Sequence, residues 1–218
     1  MMKLAWLLIV LLATVGSVPA QELRIVTFNY PPYTIAETRA GVVERRVDSA
    51  MASRSIKVRW EYFPVARAFF EFLADGEAVF AGNIGQFSKS DRKGLGYVVT
   101  MKTTGYLISR TTMKGHSLEK KTFVGLRHDS NLISLATKYH SPLVEVNSMR
   151  QAFEMVSRGH ADVVCCLDQE IEELKKYPNL TILSEQTRTV ELQLLYHENS
   201  VAGGIVKRVA RESNNFSR

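Results

Sequence analysis

Tyr30-Pro31-Pro32-Tyr33 is the stretch whose residue types and spacing most readily serve a chemical role. Its two prolines remove backbone donors and stop both helix and ladder, so the two tyrosines sit on a stiff loop. Leu23 to Phe28, just before it, reads as a short buried strand. Aromatic side chains on such a loop, at the carboxyl end of a strand, are where open α/β sheets place their ligands. The same tyrosines could equally cover an edge of the core. Bond-making chemistry has less support. The five histidines, His116, His128, His140, His160 and His197, are too dispersed for a metal or nucleophile motif. No Ser-His-Asp or Cys-His signature stands out, and no catalytic residue, metal site or cofactor is expected. The two cysteines are the neighbours Cys165 and Cys166. Adjacent strand residues point to opposite faces, so two inert buried thiols are expected rather than a disulfide.

The elements that would position these residues alternate in type. After the first strand, Gly41 to Ser53 carries Val42, Val43, Val47, Ala50 and Met51 at helical spacing. Ile56 to Tyr62 alternates as a strand, Pro64 opens a helix running to Leu73, and Ala78 to Gly82 is a small buried strand. The order β-α-β-α-β signals a parallel sheet with crossover helices. Asn83 to Gly96 is a polar loop, followed by strand-like Tyr97 to Val99 and Thr104 to Ser109. The alternation then restarts: strand Thr122 to Leu126, helix Asn131 to Tyr139, strand Leu143 to Val146, capped helix Ser148 to Arg158 and strand Ala161 to Leu167. Asp168 to Tyr177 reads as an acidic-to-basic helix matched to its macrodipole. Strands Leu180 to Leu183 and Val190 to Tyr196 and a helix Val201 to Glu212 follow. Two similar α/β units joined near Thr104 and Val190 predict two lobes with a double hinge: residues 21–104 plus 190–218, and residues 105–189.

Residues 1–20 read as a secretory signal, with Lys3, an apolar run from Leu4 to Val15 and a cleavage site near Ala20. That run is too short and wrongly flanked for a membrane span, and no second long apolar run appears. An exported, periplasmic, soluble protein is expected. The formal net charge is +6, with basic residues spread along the chain. A mixed surface explains that spread better than nucleic-acid binding does, although anionic ligands would be attracted modestly.

Taken in order, these segments resemble the family-3 extracytoplasmic solute-binding proteins, the polar amino-acid receptors of ABC importers. The resemblance rests on Tyr30-Pro31-Pro32-Tyr33, Phe63-Pro64-Val65-Ala66-Arg67-Ala68, and Ala81-Gly82-Asn83 followed by Ser90-Asp91-Arg92. Val124-Gly125-Leu126, the run Ser148 to Gly159 with Ala161-Asp162-Val163-Val164, and Lys175 to Leu180 extend it over nearly the whole chain after residue 20. It implies an α/β, two-lobed type II periplasmic-binding-protein fold with mostly parallel sheets and a double-strand hinge, closing on a small ligand.

A free amino acid needs a cation for its carboxylate, an anion for its ammonium and an apolar wall. The resemblance assigns Arg92 to the α-carboxylate, a task suited to a bidentate guanidinium. It assigns Tyr30 to stacking on the ligand. Ser130 would meet a carboxylate at a helix start, or simply cap that helix. Asp168 lies near the family's ammonium-binding position, one residue farther from Asp162 than the common spacing, and is also placed as an N-cap. Arg67 matches a ligand-facing arginine of some members, yet Glu71 four residues on could pair with it. Asn83 either lines the cleft or ends its strand. The loop from Gly82 to Arg92 is longer than the family pattern, and the chain ends soon after its return strand.

The implied function is capture of a small polar ligand, such as an amino acid, by a monomer that delivers it to a membrane ABC permease. A sensor acting through a membrane receptor is the alternative. An enzyme on the same fold is a third reading, since cyclohexadienyl dehydratases are similar to these receptors.

Overall fold

The structure, a computed structural model, describes residues 21–113, 117–127, 129–183, 188–213 and 216, with residues 130 and 131 described by backbone alone. The expected signal segment, residues 1–20, lies outside them. The first unit builds from β1 (Glu22–Thr27), α1 (Val42–Ala52), β2 (Lys57–Tyr62), α2 (Val65–Ala74) and β3 (Val79–Gly82). β1 pairs in parallel with both β2 and β3. Successive residues of β1 feed opposite faces: Leu23 and Ile25 pack with α1, whereas Val26 packs with Ala68 and Phe72 of α2. This is the period-two geometry of a strand covered on both sides. Pro64 stands just outside α2 as its N-cap rather than inside it.

The second unit repeats the plan with β5 (Phe123–Leu126), α3 (Ser130–Lys138), β6 (Leu143–Val146), α4 (Met149–Arg158) and β7 (Val163–Leu167). β5 is again central and parallel to both neighbours. Phe153 and Val156 of α4 cover one face, and Leu132 and Ala136 of α3 the other. α4 is bounded by local chemistry. Ser148 Oγ accepts the Gln151 N–H, and Gly159 ends the helix at φ 82°, a conformation that favours glycine. Cys165 and Cys166 are free, buried and on opposite faces of β7.

Two long antiparallel strands join the units. β4 (Leu95–Arg110) and β9 (Arg188–His197) pair from Leu95↔His197 to Gly105↔Arg188, with an irregularity between Val99 and Met101. The strand order is β2-β1-β3-β9-β4-β7-β5-β6, with β8 (Leu180–Ile182) on β4. The two strand-like segments expected at Tyr97 and Thr104 are therefore one strand. Thr100 keeps the run continuous by donating its hydroxyl to the Leu192 carbonyl at 2.8 Å. Thr103 and Thr104 lie opposite Val190 and Thr189, so the two expected crossing points are paired neighbours. The helix expected over Asp168 to Tyr177 is much shorter. A 3-10 turn at Asp168–Glu170 leads into α5 (Ile171–Leu174), and the Glu170 carboxylate folds back onto the Leu167 N–H. The last helix, α6 (Val201–Glu212), is where expected, capped by Ser200.

Phe80 of β3 is fully buried and meets the rings of Phe28, Phe69, Phe72 and Phe87 at centroid separations of 5.1–6.3 Å. Phe80→Ala should lower the unfolding free energy in urea by about 3–5 kcal/mol, the cost of an aromatic cavity.

Candidate functional site: a cleft between the two units

The carboxyl ends of β1 and β3 face those of β5 and β7 across a cleft of about 280 Å³. Its first wall is the proline loop. Tyr30 and Thr34 bridge one another, and the Tyr33 and Thr34 N–H groups both donate to the Tyr30 carbonyl. The Thr34 hydroxyl donates to the Phe28 carbonyl at 2.7 Å. Tyr30 and Tyr33 pack with ring centroids 5.4 Å apart, and both line the cleft. The loop is clipped from behind by Glu44, which is fully buried on α1. Its carboxylate accepts from the Ile35 N–H at 3.0 Å, the Gly41 N–H and the Tyr62 hydroxyl. Burial, and then that last contact, push the Tyr62 phenol pKa strongly upward.

The opposite wall comes from the second unit. Arg127 and Asp129 follow β5, Asn147 follows β6, and Cys165, Cys166 and Leu167 end β7. Asp129 Oδ1 accepts the Leu132 N–H at 3.2 Å and so caps α3. The floor is β9, which contributes Arg188, Val190, Leu192 and Gln193. Arg188 Nη2 lies 3.2 Å from Cys165 Sγ. The site thus holds two guanidiniums, of Arg127 and Arg188, and the Asp129 carboxylate on a largely apolar lining. Burial, and then the Asp129 charge, raise the Cys165 thiol to about 12, so it stays a protonated wall group rather than a nucleophile.

Glu170 stands at the seam between the walls. Its Oε2 accepts the Leu167 N–H at 2.7 Å and faces the Tyr30 hydroxyl at 3.5 Å. Burial is the main cause that raises this carboxyl to about 8, with Asp129 adding to it and the two hydrogen bonds opposing it. Burial likewise lifts the Tyr33 phenol to about 12.

Among the residues expected to bind ligand, Tyr30 and Asn83 line the cleft. Asn83 also builds its own 3-10 turn: Nδ2 donates to the Glu191 carbonyl and Oδ1 accepts the Gly85 N–H. Ser130 begins α3 beside Asp129, and its side chain is outside the described set. Arg92, Arg67 and Asp168 are not cleft-lining residues. The Arg92 guanidinium braces its own loop, donating to the Phe87 and Gly85 carbonyls at 2.8 and 2.9 Å. Arg67 pairs with Glu71 at 3.3 Å and stacks over Phe63. Asp168 is exposed and accepts from the Tyr106 hydroxyl at 3.4 Å.

Four charged groups at or beside the cleft, Arg127, Asp129, Arg188 and Glu170, were not singled out from the sequence. Asp129 carried a readable signal, an Asp just before a helix at a strand end. Arg188 carried a weaker one, a cation heading an apolar strand. Glu170 carried none, because Asp168-Gln169-Glu170 reads as an ordinary acidic first turn.

No protein-family model and no curated protein matches the chain in sequence. Solved structures match its shape. The ligand-binding core of GluR0 from Nostoc punctiforme, in complex with L-glutamate, superposes with a TM-score of 0.70 at 11% identity, covering 89% of this chain and 95% of that one. The periplasmic VFT2 domain of Bordetella pertussis BvgS gives 0.69 at 16% identity, covering 88% of each. The substrate-binding protein of an amino acid ABC transporter gives 0.67 at 13% identity, covering 88% and 92%. The chain therefore has the two-lobed α/β fold of periplasmic binding-protein domains.

Glu44→Ala would leave three donors unsatisfied behind the tyrosine loop. It should cost about 1–3 kcal/mol in unfolding free energy and speed amide exchange at Ile35 and Gly41, read by hydrogen-exchange mass spectrometry.

Proposed function

We propose that this chain is a periplasmic solute-binding protein that captures a small zwitterion, an amino acid or a related compound, between its lobes. The lobes are residues 21–104 with 190–218, and residues 105–189, hinged where β4 and β9 cross. The observation that carries the reading is that Arg188 and Asp129 line the same cleft as Tyr30. A guanidinium on the floor suits a carboxylate, a carboxylate at the α3 start suits an ammonium, and the tyrosine offers an apolar face. In a site shielded from water these contacts gain strength. This arrangement moves the anchoring roles from Arg92 and Asp168 to Arg188 and Asp129. The small ligand would be handed to a membrane permease after hinge closure.

The likeness to the BvgS domain supports a second reading, a sensor that presents its ligand state to a membrane receptor. No helix among the described residues is long and apolar enough to cross a membrane. Catalysis has less support: burial holds the cleft thiol of Cys165 protonated, and Asp168 is exposed and not among the cleft-lining residues.

A thermal-shift panel of amino acids, polyamines, small carboxylates and prephenate tests the reading. An α-amino acid should stabilise the protein by about 2.7 kcal/mol at a hundredfold excess over Kd. Arg188→Ala and Asp129→Asn should each abolish that shift while the circular dichroism spectrum is retained. A panel in which no amino acid shifts the melting temperature overturns the assignment.

A further inference from the structure

Glu170 joins parts of the chain that belong to different lobes. It sits in the turn after β7, while Tyr30 stands on the loop after β1. The carboxyl group is 5% exposed, and its Oε1 is buried without a hydrogen-bond partner among the described residues. No ion pair reaches it among those residues.

Its surroundings disfavour a negative charge. Asp129 faces it from the start of α3, and Asp168 precedes it in its own turn. Tyr30 and Tyr33 face it from the first lobe, and Cys165 and Cys166 from β7. The cations of the cleft are Arg188 on β9, placed against Cys165 Sγ, and Arg127 after β5. His128, next to Asp129 in sequence, lies outside the described residues. A buried carboxylate with one uncompensated oxygen, set among other acids, is costly, and a neutral carboxylic acid costs far less.

We propose that the Tyr30–Glu170 contact is a latch between the lobes that forms with Glu170 as the neutral acid, so that closing the cleft takes up a proton. The proposal rests on the reading of the chain as a binding protein that opens and closes. In the closed form the carboxyl is raised to about 8 from its ordinary 4.5, with burial the chief cause. Opening the cleft returns it to water and toward the ordinary value. The neutral form is thus favoured when closed, and closure gains as pH falls through that interval. The closed-to-open ratio should fall about tenfold per pH unit as pH rises toward 8, then level off. The neighbouring tyrosines and thiols do not imitate this. Tyr33 and Cys165 are raised to about 12, and Tyr30 and Cys166 are also pushed upward.

Small-angle X-ray scattering of the protein without added ligand, at pH 6.5 and 9.5, reads the latch. The closed-to-open ratio should drop roughly thirtyfold between the two, seen as a larger radius of gyration at pH 9.5. Glu170→Gln, which mimics the neutral acid, should give the same radius at both. Tyr30→Phe, which keeps the ring and removes the hydroxyl, should be more expanded than the wild type at pH 6.5. Carbon-detected NMR of glutamate carboxyls should show one group titrating near 8 that Glu170→Gln removes. An unchanged wild-type radius, a pH response that survives in Glu170→Gln, or a Glu170 carboxyl titrating in the ordinary range overturns the latch. Because no ligand is added, this result is independent of whether the amino-acid panel succeeds.

Discussion

The antiparallel ladder between β4 and β9 is the constraint on which the rest of the molecule depends. β4 is long enough to serve both units of one continuous sheet: its first part and β9 complete the first unit, and its last part carries β7 and β8. Backbone hydrogen bonding at this ladder leaves few other ways to join the units. The local irregularity between Val99 and Met101 adds twist where the strands pass from one to the other. The same ladder places Arg188 and Gln193 on the cleft floor, so the strands that join the units also line the cleft between them.

The cleft itself follows from strand direction. In both units the central parallel strands end toward the other unit, and loops at carboxyl ends collect the polar groups. The tyrosine loop is held from behind by a buried carboxylate with three donors. Glu170 differs, because its position at the seam is well desolvated and poorly compensated. Residues of both units surround it: Tyr30 and Tyr33 from the first, Asp129, Cys165 and Cys166 from the second.

Much of the fold was legible because its determinants are local. The alternation of strand and helix, the Ser148 cap, the Gly159 stop and the boundaries of α6 depend on residues within a few positions of each other. The continuity of β4 was not legible, because Thr100 to Thr103 look like a polar break until β9 supplies partners for them. The shortening of the helix after Asp168 likewise depended on Glu170 turning inward, where an acidic first turn normally points to water.

The site divides along the same physical line. The sequence by itself determined the stiff aromatic loop, the β-α alternation of two units and the placement of Asn83 at a strand end, all through short-range sterics and hydrophobic period. Only the tertiary structure decided which charges meet. It turned Arg92 back onto its own loop, paired Arg67 with Glu71, left Asp168 exposed, and brought Tyr30, Asp129 and Arg188 to one cleft with Glu170 against Tyr30. The reason is that a charge acts through distance and desolvation. Both are set by the pairing of strands far apart in sequence, and neither is written in the spacing of the residues that carry the charge.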